Sequence, residues 1–140
     1  MSNTDLNAWL GKSQIFHDRM DPGHASRIAT TLGEDTPAQG DDLPALWHWA
    51  YFLESIPLTM LGTDGHPSRG AFLPPADNRN RMWAGGRVEF LAPLRVGIEA
   101  EKKSTVMAIQ EKKGRTGSLL FVSVKHEVSQ QGSLVISEEQ

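Results

Sequence analysis

Residues 119–128, LLFVSVKHEV, alternate in a way that one backbone geometry satisfies. Leu120, Val122, Val124, His126 and Val128 fall on one side of an extended chain, with Leu119, Phe121, Ser123 and Lys125 on the other. A period of two is a strand. Shorter alternating stretches lie on either side: Val88 and Phe90 around Glu89, Val106 and Ala108 against Met107 and Ile109, and a last strand over residues 134–138. Breaks separate them at residues 93–97, at the charged, Gly-containing segment 111–117, and at Gln130-Gln131-Gly132-Ser133. Strands joined by short turns predict an antiparallel meander. Its apolar face has to be covered by another element.

One segment qualifies as the cover. Asp21-Pro22 is a helix start: Asp caps free N–H groups and Pro suits the first turn. Ala25, Ile28, Ala29 and Leu32 then recur at the helical spacing, and Gly33 follows as a C-cap. The spacing predicts a helix from Pro22 to Leu32, roughly 16 Å long. Residues 14–20 before it alternate loosely, as a further strand. Residues 34–44 are a polar loop, and residues 62–80 form a long irregular connection of the kind that is usually functional or mobile. Residues 46–53, LWHWAYFL, suit a buried strand or a short helix, and periodicity does not decide between them. The order is strand, helix, long loop, meander: an α+β layout in a single domain spanning residues 1–140.

Composition narrows the function. Hydrophobic residues make up 39% and charged residues 22%, as in globular domains. The net charge of -3 argues against a nucleic-acid partner. No apolar run reaches the length of a membrane span, and the first residues, MSNTDLNAW, lack the pattern of a signal peptide. The simplest expectation is a cytoplasmic protein with no membrane partner. The absence of Cys excludes disulfides and thiolate chemistry. No pair of histidines has helical metal-ligand spacing, so no metal is expected.

The candidates for chemistry are few. His48, between Trp47 and Trp49, reads first as a core or interface histidine, and as a strand residue it would face away from both. His126 reads as structural. His66 lies in GTDGHPSRG, with Asp64 two residues before it and Arg69 three after, and is a weak candidate for a general base. Lys102-Lys103 and Lys112-Lys113 read as the solvated side and tip of a hairpin, with a phosphate-contacting role as the alternative. In RMWAGGRVEFLAPLRVG (residues 81–97), Gly85 and Gly86 stand between Trp83 and a strand. Two glycines there are usually a turn or bulge. With Arg81, Trp83 and the Trp47/Trp49 pair, they also suit a pocket for a carbonyl-bearing ligand, with N–H groups for the oxygen and aromatic walls.

These stretches, together with LPALWHWAYFLESIP, LGTDGHPSRGAFLPP and the tail GRTGSLLFVSVKHEV, resemble the N-terminal half of the MaoC-like acyl-CoA hydratases and dehydratases. The nearest members are of the mesaconyl-CoA and itaconyl-CoA hydratase type. The resemblance runs from about Trp9 to Gln140. It implies a hot-dog fold, an antiparallel sheet wrapped around one central helix, with two such units packed side by side as homo-oligomer, heterodimer or halves of one chain. It implies an acyl-CoA substrate at their junction and no cofactor beyond the coenzyme A of that substrate. It also implies hydration of an enoyl-CoA, or the reverse dehydration, by an Asp and a His. By the same resemblance, Trp47, Trp49 and Phe52 would line the acyl or pantetheine region. Arg69 and Phe72, with His66, would stand near the pocket mouth, and Arg81 to Gly86, including Trp83 and Gly85, would flank the cleft.

One departure matters. The family's catalytic signature is an Asp, four residues, then a His, and no Asp here has that spacing to a His. Asp18/His24 and Asp42/His48 are one residue too long. The chain therefore reads as the substrate-shaping half of a hydro-lyase whose catalytic pair comes from a second unit. The alternatives are a non-catalytic acyl-CoA-binding subunit and a hot-dog thioesterase using Asp64 or Asp77 on water. The aromatic segment 46–53 and the short final strand further predict self-association.

Overall fold

In the computed structural model, which describes residues 5–76 and 79–140, five strands form one antiparallel sheet. They are β1 (Ser13–Asp18), β2 (Arg87–Phe90), β3 (Ala100–Gly114), β4 (Gly117–Gln130) and β5 (Ser133–Glu139), and one helix, α1 (Pro22–Leu32), packs against them. The helix start at Asp-Pro and the glycine stop are where the sequence puts them, but the Asp21 side chain makes no capping hydrogen bond. Pro22 opens α1, and Gly33 closes it at φ 69°, donating its N–H to Ala29 and Thr30.

The strand order is β1-β3-β4-β5-β2. β3, β4 and β5 are the expected meander, but β2 does not begin it. Instead it crosses to the far edge and pairs with β5, Val88 opposite Glu138 and Phe90 opposite Ile136. The connection after β2 explains the crossing. Leu94 and Val96 bury in the core, and the backbone pairs Leu43 N–H with Leu94 O and Val96 N–H with Asp41 O. This return path runs under the 39–43 loop and delivers the chain to β3 at the other side. Alternation identifies a strand but not its neighbour.

Residues 46–53 are neither a strand nor a regular helix. Leu46 takes φ 73° and a short 3₁₀ turn, Trp47–Ala50, follows. This segment ties the helix to the sheet. His24 Nε2 lies 2.7 Å from Ala50 O, the Tyr51 hydroxyl donates to Asp21 O at 3.0 Å, and the Phe52 N–H donates to Asp18 Oδ2 at 2.9 Å. Burial, with Asp18 and Asp21 nearby, pushes the Tyr51 phenol up to about 12, so its O–H stays a donor. α1 itself buries only Ala25 and Ala29, while Leu43, Tyr51 and Phe52 fill the core with Met20, Val96, Val128 and Ile136.

Lys102 also departs from the hairpin-surface reading. Its ammonium lies over the rings of Phe16 at 5.1 Å and Phe52 at 5.6 Å, and burial lowers its pKa against the opposing pull of Glu54 and Glu138. Its position on β3 has the same parity as buried Ala100 and Ser104, which turns it inward. Lys112 and Lys113 do stand exposed near the hairpin tip.

Gln130 shows how a buried polar side chain holds the crossover. It accepts from the Arg95 N–H and donates to the carbonyls of Arg95 and Ile98. Gln130→Ala strands all of these groups. It is expected to cost about 2–3 kcal/mol in urea unfolding, well above the effect of an exposed Gln→Ala change.

Candidate functional site

Two polar centres emerge from this scaffold. The first is on the long loop. Leu61 and Pro67 form an isolated bridge, and Gly62 N–H to His66 O at 2.8 Å and Ser68 N–H to Met60 O at 2.9 Å close a tight turn around residues 63–65. The turn brings Asp64 and His66 together: Asp64 Oδ2 is 3.5 Å from His66 Nδ1, and Asp64 Oδ1 accepts the His66 N–H at 3.1 Å. Arg81 Nε comes to 3.8 Å from the same carboxylate, which joins the start of the Arg81 segment to the loop. The His66 backbone N–H, helped by the His66 and Arg81 charges, holds the Asp64 carboxyl below its usual range. All three groups reach solvent, so this is a charged, accessible mouth and not a shielded acid–base pair.

Arg69 lies beside it, donating to the carbonyls of Ala76 at 3.0 Å and Arg79 at 2.9 Å. It staples the loop from within, in the wall of a polar cleft of about 580 Å³ shared with Thr63, Ser68 and Arg79. The loop is anchored to the N-terminal segment by Trp9 Nε1 to Gly70 O at 3.1 Å and Lys12 Nζ to Ala71 O at 2.6 Å. Phe72 is half-buried on this loop. Asp77, the alternative water-activating carboxylate, lies outside the described residues.

The second centre is buried, and sequence reasoning missed it. Glu138 is 4% exposed and accepts from His48 Nε2 at 3.0 Å, Trp49 Nε1 at 2.8 Å and Gln140 Nε2 at 3.0 Å. Burial alone would raise its pKa; the hydrogen bonds from His48, Gln140 and Trp49 outweigh that and bring it down to about 2. The 3₁₀ turn makes this possible. It directs His48 and Trp49 to the same carboxylate, where a strand would have sent them to opposite sides. The one sequence signal was parity: Glu138 shares a strand face with Ile136.

A register row crosses the sheet through this centre: Ser104 opposite His126, His126 opposite Glu138, Glu138 opposite Val88. Ser104 Oγ and His126 Nδ1 are 2.7 Å apart, and burial, with the Lys102 charge, lowers the His126 pKa. Its neutral ring is a satisfied part of the interior.

The remaining sequence-derived residues fall as follows. Trp47 packs against the core, Phe52 is buried at φ 56°, and Trp49 exposes part of its ring while its N–H is held by Glu138. Trp83 is 71% exposed at the head of β2, and Gly85 has open space where a Cβ would stand. Gly86 does not: a Cβ there would sit 3.0 Å from Glu139 O and 3.4 Å from Trp83. Bare backbone at Gly86 thus serves the close approach of the last strand. The structure brings Asp64, His66 and Arg81 to one end of the loop, and Trp49 and His48 to Glu138 on the sheet.

Known proteins resemble this chain in sequence and fold. The chain is 41% identical over 142 aligned positions to the mesaconyl-C(4)-CoA hydratase of Chloroflexus aurantiacus, covering 100% of this chain and 51% of that protein. It thus spans about half the length of that curated relative. Among solved structures, the 3R-hydroxyacyl-ACP dehydratase HadBC complex of Mycobacterium tuberculosis is similar at TM-score 0.57 and 11% identity, over 97% of this chain and 95% of that one. The MaoC-like dehydratase of Rhodospirillum rubrum is similar at TM-score 0.51 and 21% identity, over 92% and 87%. These likenesses establish the fold as hot-dog, one helix against a five-stranded antiparallel sheet. Residues 46–140 match the hydroxyacyl-thioester dehydratase type 2 family, a span that takes in both polar centres described above. The chain belongs to the hydroxyacyl-thioester dehydratase type 2 family.

Proposed function

We propose that this chain is the acyl-CoA-binding half of a hydro-lyase. In the hydration direction, water adds across an enoyl-CoA double bond: the hydroxyl goes to the β-carbon and a proton to the α-carbon. The observation that carries this reading is the 41% identity, over the whole chain, to half of a mesaconyl-CoA hydratase. The substrate is then an acyl-CoA of mesaconyl or itaconyl type, and no further cofactor takes part. The proton-moving Asp and His come from a second hot-dog unit, since the Asp-x4-His spacing is absent from this sequence. A pairing with a different hot-dog unit that carries that spacing follows, as a heterodimer or as halves of one chain. Among the described residues no helix is long and apolar enough to cross a membrane, which fits a cytoplasmic enzyme.

In this reading the loop mouth does the binding work. Arg81, held by Asp64, offers a fixed cation, and Trp83 offers an exposed ring for the coenzyme A moiety. Trp47, Trp49 and Phe52 would shape the acyl side, and the backbone at Gly85 and Gly86 would approach the thioester oxygen. Arg69 and Phe72 would hold the loop in place. The test uses the chain assembled with its second unit. Arg81→Ala and Trp83→Ala are each expected to raise KM for crotonyl-CoA about 10-fold, with a smaller change in kcat. Unchanged KM in both variants would remove the mouth from the binding site.

A further inference from the structure

The polar cleft beside the loop mouth carries more positive charge than the described residues around it match. Its volume is about 580 Å³, and the charged residues in its wall are both arginines, Arg69 and Arg79. Arg69 is fixed by two neutral carbonyls, those of Ala76 and Arg79. Among the described residues, the arginine ion pairs run through Arg79, Arg81, Arg87 and Arg95, and none through Arg69. Arg79 Nη2 reaches Glu111 Oε1 at 3.4 Å and Ser118 Oγ at 3.3 Å, contacts longer than a good hydrogen bond.

The β3–β4 hairpin adds a third cation. Lys113 lies opposite Ser118 in the strand register and shares its strand parity with Glu111, so it belongs to the face that Arg79 touches. Its neighbour Lys112 turns to the other face, where its ammonium lies 5.0 Å from the centre of the Phe121 ring. Asp64 is matched by Arg81, so Arg69, Arg79 and Lys113 gather around one described carboxylate, Glu111.

We infer that this cleft holds a phosphate group of the coenzyme A ester, with Arg69 and Arg79 as its cations, Ser68 and Asn80 as neutral donors, and Lys113 at its rim. The inference rests on the acyl-CoA reading and places one end of that substrate. Thr63 and Asn80 adjoin Asp64 and Arg81 in the chain, so the cleft continues the mouth. The spacing also suits. Gly86 stands against Glu139, which pairs with Lys125. Ser118, where Arg79 reaches, lies farther along β4 by roughly 23 Å at about 3.3 Å per residue. A coenzyme A ester carries its phosphates at the far end of a long pantetheine arm from the thioester. Guanidinium forks, a hydroxyl and an amide on several sides suit a phosphate, which offers more acceptor oxygens than a carboxylate.

The test uses the chain assembled with its second unit and butyryl-CoA, a saturated ester that cannot be hydrated. Calorimetry is expected to show butyryl-CoA binding at least about 10-fold more tightly than butyryl-pantetheine, which lacks every phosphate. Arg79→Gln keeps the backbone carbonyl that holds Arg69. It is expected to weaken butyryl-CoA about 10-fold, flatten the salt dependence of its binding, and leave butyryl-pantetheine unchanged. Lys113→Gln is expected to cost about 3-fold, and Lys112→Gln, the same charge change on the other face, less than about 1.5-fold. Butyryl-dephospho-CoA names the phosphate: the Arg79→Gln loss persists on it if the diphosphate is bound and vanishes if the 3′-phosphate is. The inference alone falls if butyryl-CoA binds no more tightly than butyryl-pantetheine, or if Arg79→Gln weakens both esters equally or neither. Equal effects of Lys112→Gln and Lys113→Gln would overturn it too. Failure of the unaltered assembly to bind either ester would overturn the acyl-CoA reading with it.

Discussion

Glu138→Ala is expected to lose about 3–5 kcal/mol of stability, the largest single effect among the polar residues of this chain. The deletion leaves the buried His48 Nε2 without its acceptor, and removes the partner of Trp49 Nε1 and Gln140 Nε2 on the partly exposed side of the same centre. Glu138→Gln keeps the shape but places an amide among donors, and should cost about 2 kcal/mol. The pH dependence has a definite sign. The folded carboxyl lies at about 2 against an ordinary 4.5, so the unfolded chain binds the proton more readily. The contribution, about 3 kcal/mol from a shift of that size, is complete above the ordinary carboxyl pKa. It drains away as pH falls towards 2. Urea midpoints for the unaltered chain and Glu138→Gln should therefore be far apart at pH 6, with the gap reduced to about half or less by pH 3. A gap of the same size at both pH values would show that Glu138 is not held as an anion.

Much of the scaffold was legible because local chemistry decided it. Asp21-Pro22 and Gly33 bound α1, and the parity of Val124, His126 and Val128 marks a strand whose inner face is that set. The place of β2 was not legible, because pairing Val88 with Glu138 is a contact between residues far apart in the chain. Residues 46–53 defeated periodicity for a related reason. Their apolar content is high on every side because they bridge helix and sheet, and Leu46 adopts a left-handed backbone that no pattern of hydrophobicity encodes.

The candidate site divides along the same line. Asp64 and His66 are two residues apart on a glycine-containing turn, and their meeting could be read locally. Arg81 joins them through tertiary structure alone. Glu138 lies 90 residues from His48 and 89 from Trp49, and in sequence it looks like one more charge in a terminal SEEQ. The glycine pair was read as a possible approach for a ligand oxygen. At Gly86 the fold supplies a nearer reason, the Glu139 carbonyl, while Gly85 keeps its side open.

The central claim is a division of labour: this chain binds the coenzyme-A ester, and a second hot-dog unit moves the protons. General acid–base pairs contribute roughly 10²–10⁴ each to rate. The unaided chain should therefore hydrate enoyl-CoA at no more than about one thousandth of the rate of the assembled enzyme. In this proposal its affinity for the ester would come from the mouth around Arg81 and Trp83, a quantity separate from the rate. The decisive measurement is hydration of crotonyl-CoA and mesaconyl-CoA by the purified chain, alone and co-assembled with a hot-dog unit that carries the Asp-x4-His signature. The account predicts near-silence alone and at least about 10³-fold recovery on assembly. Turnover by the chain alone at the assembled rate, or none in either state, would contradict it.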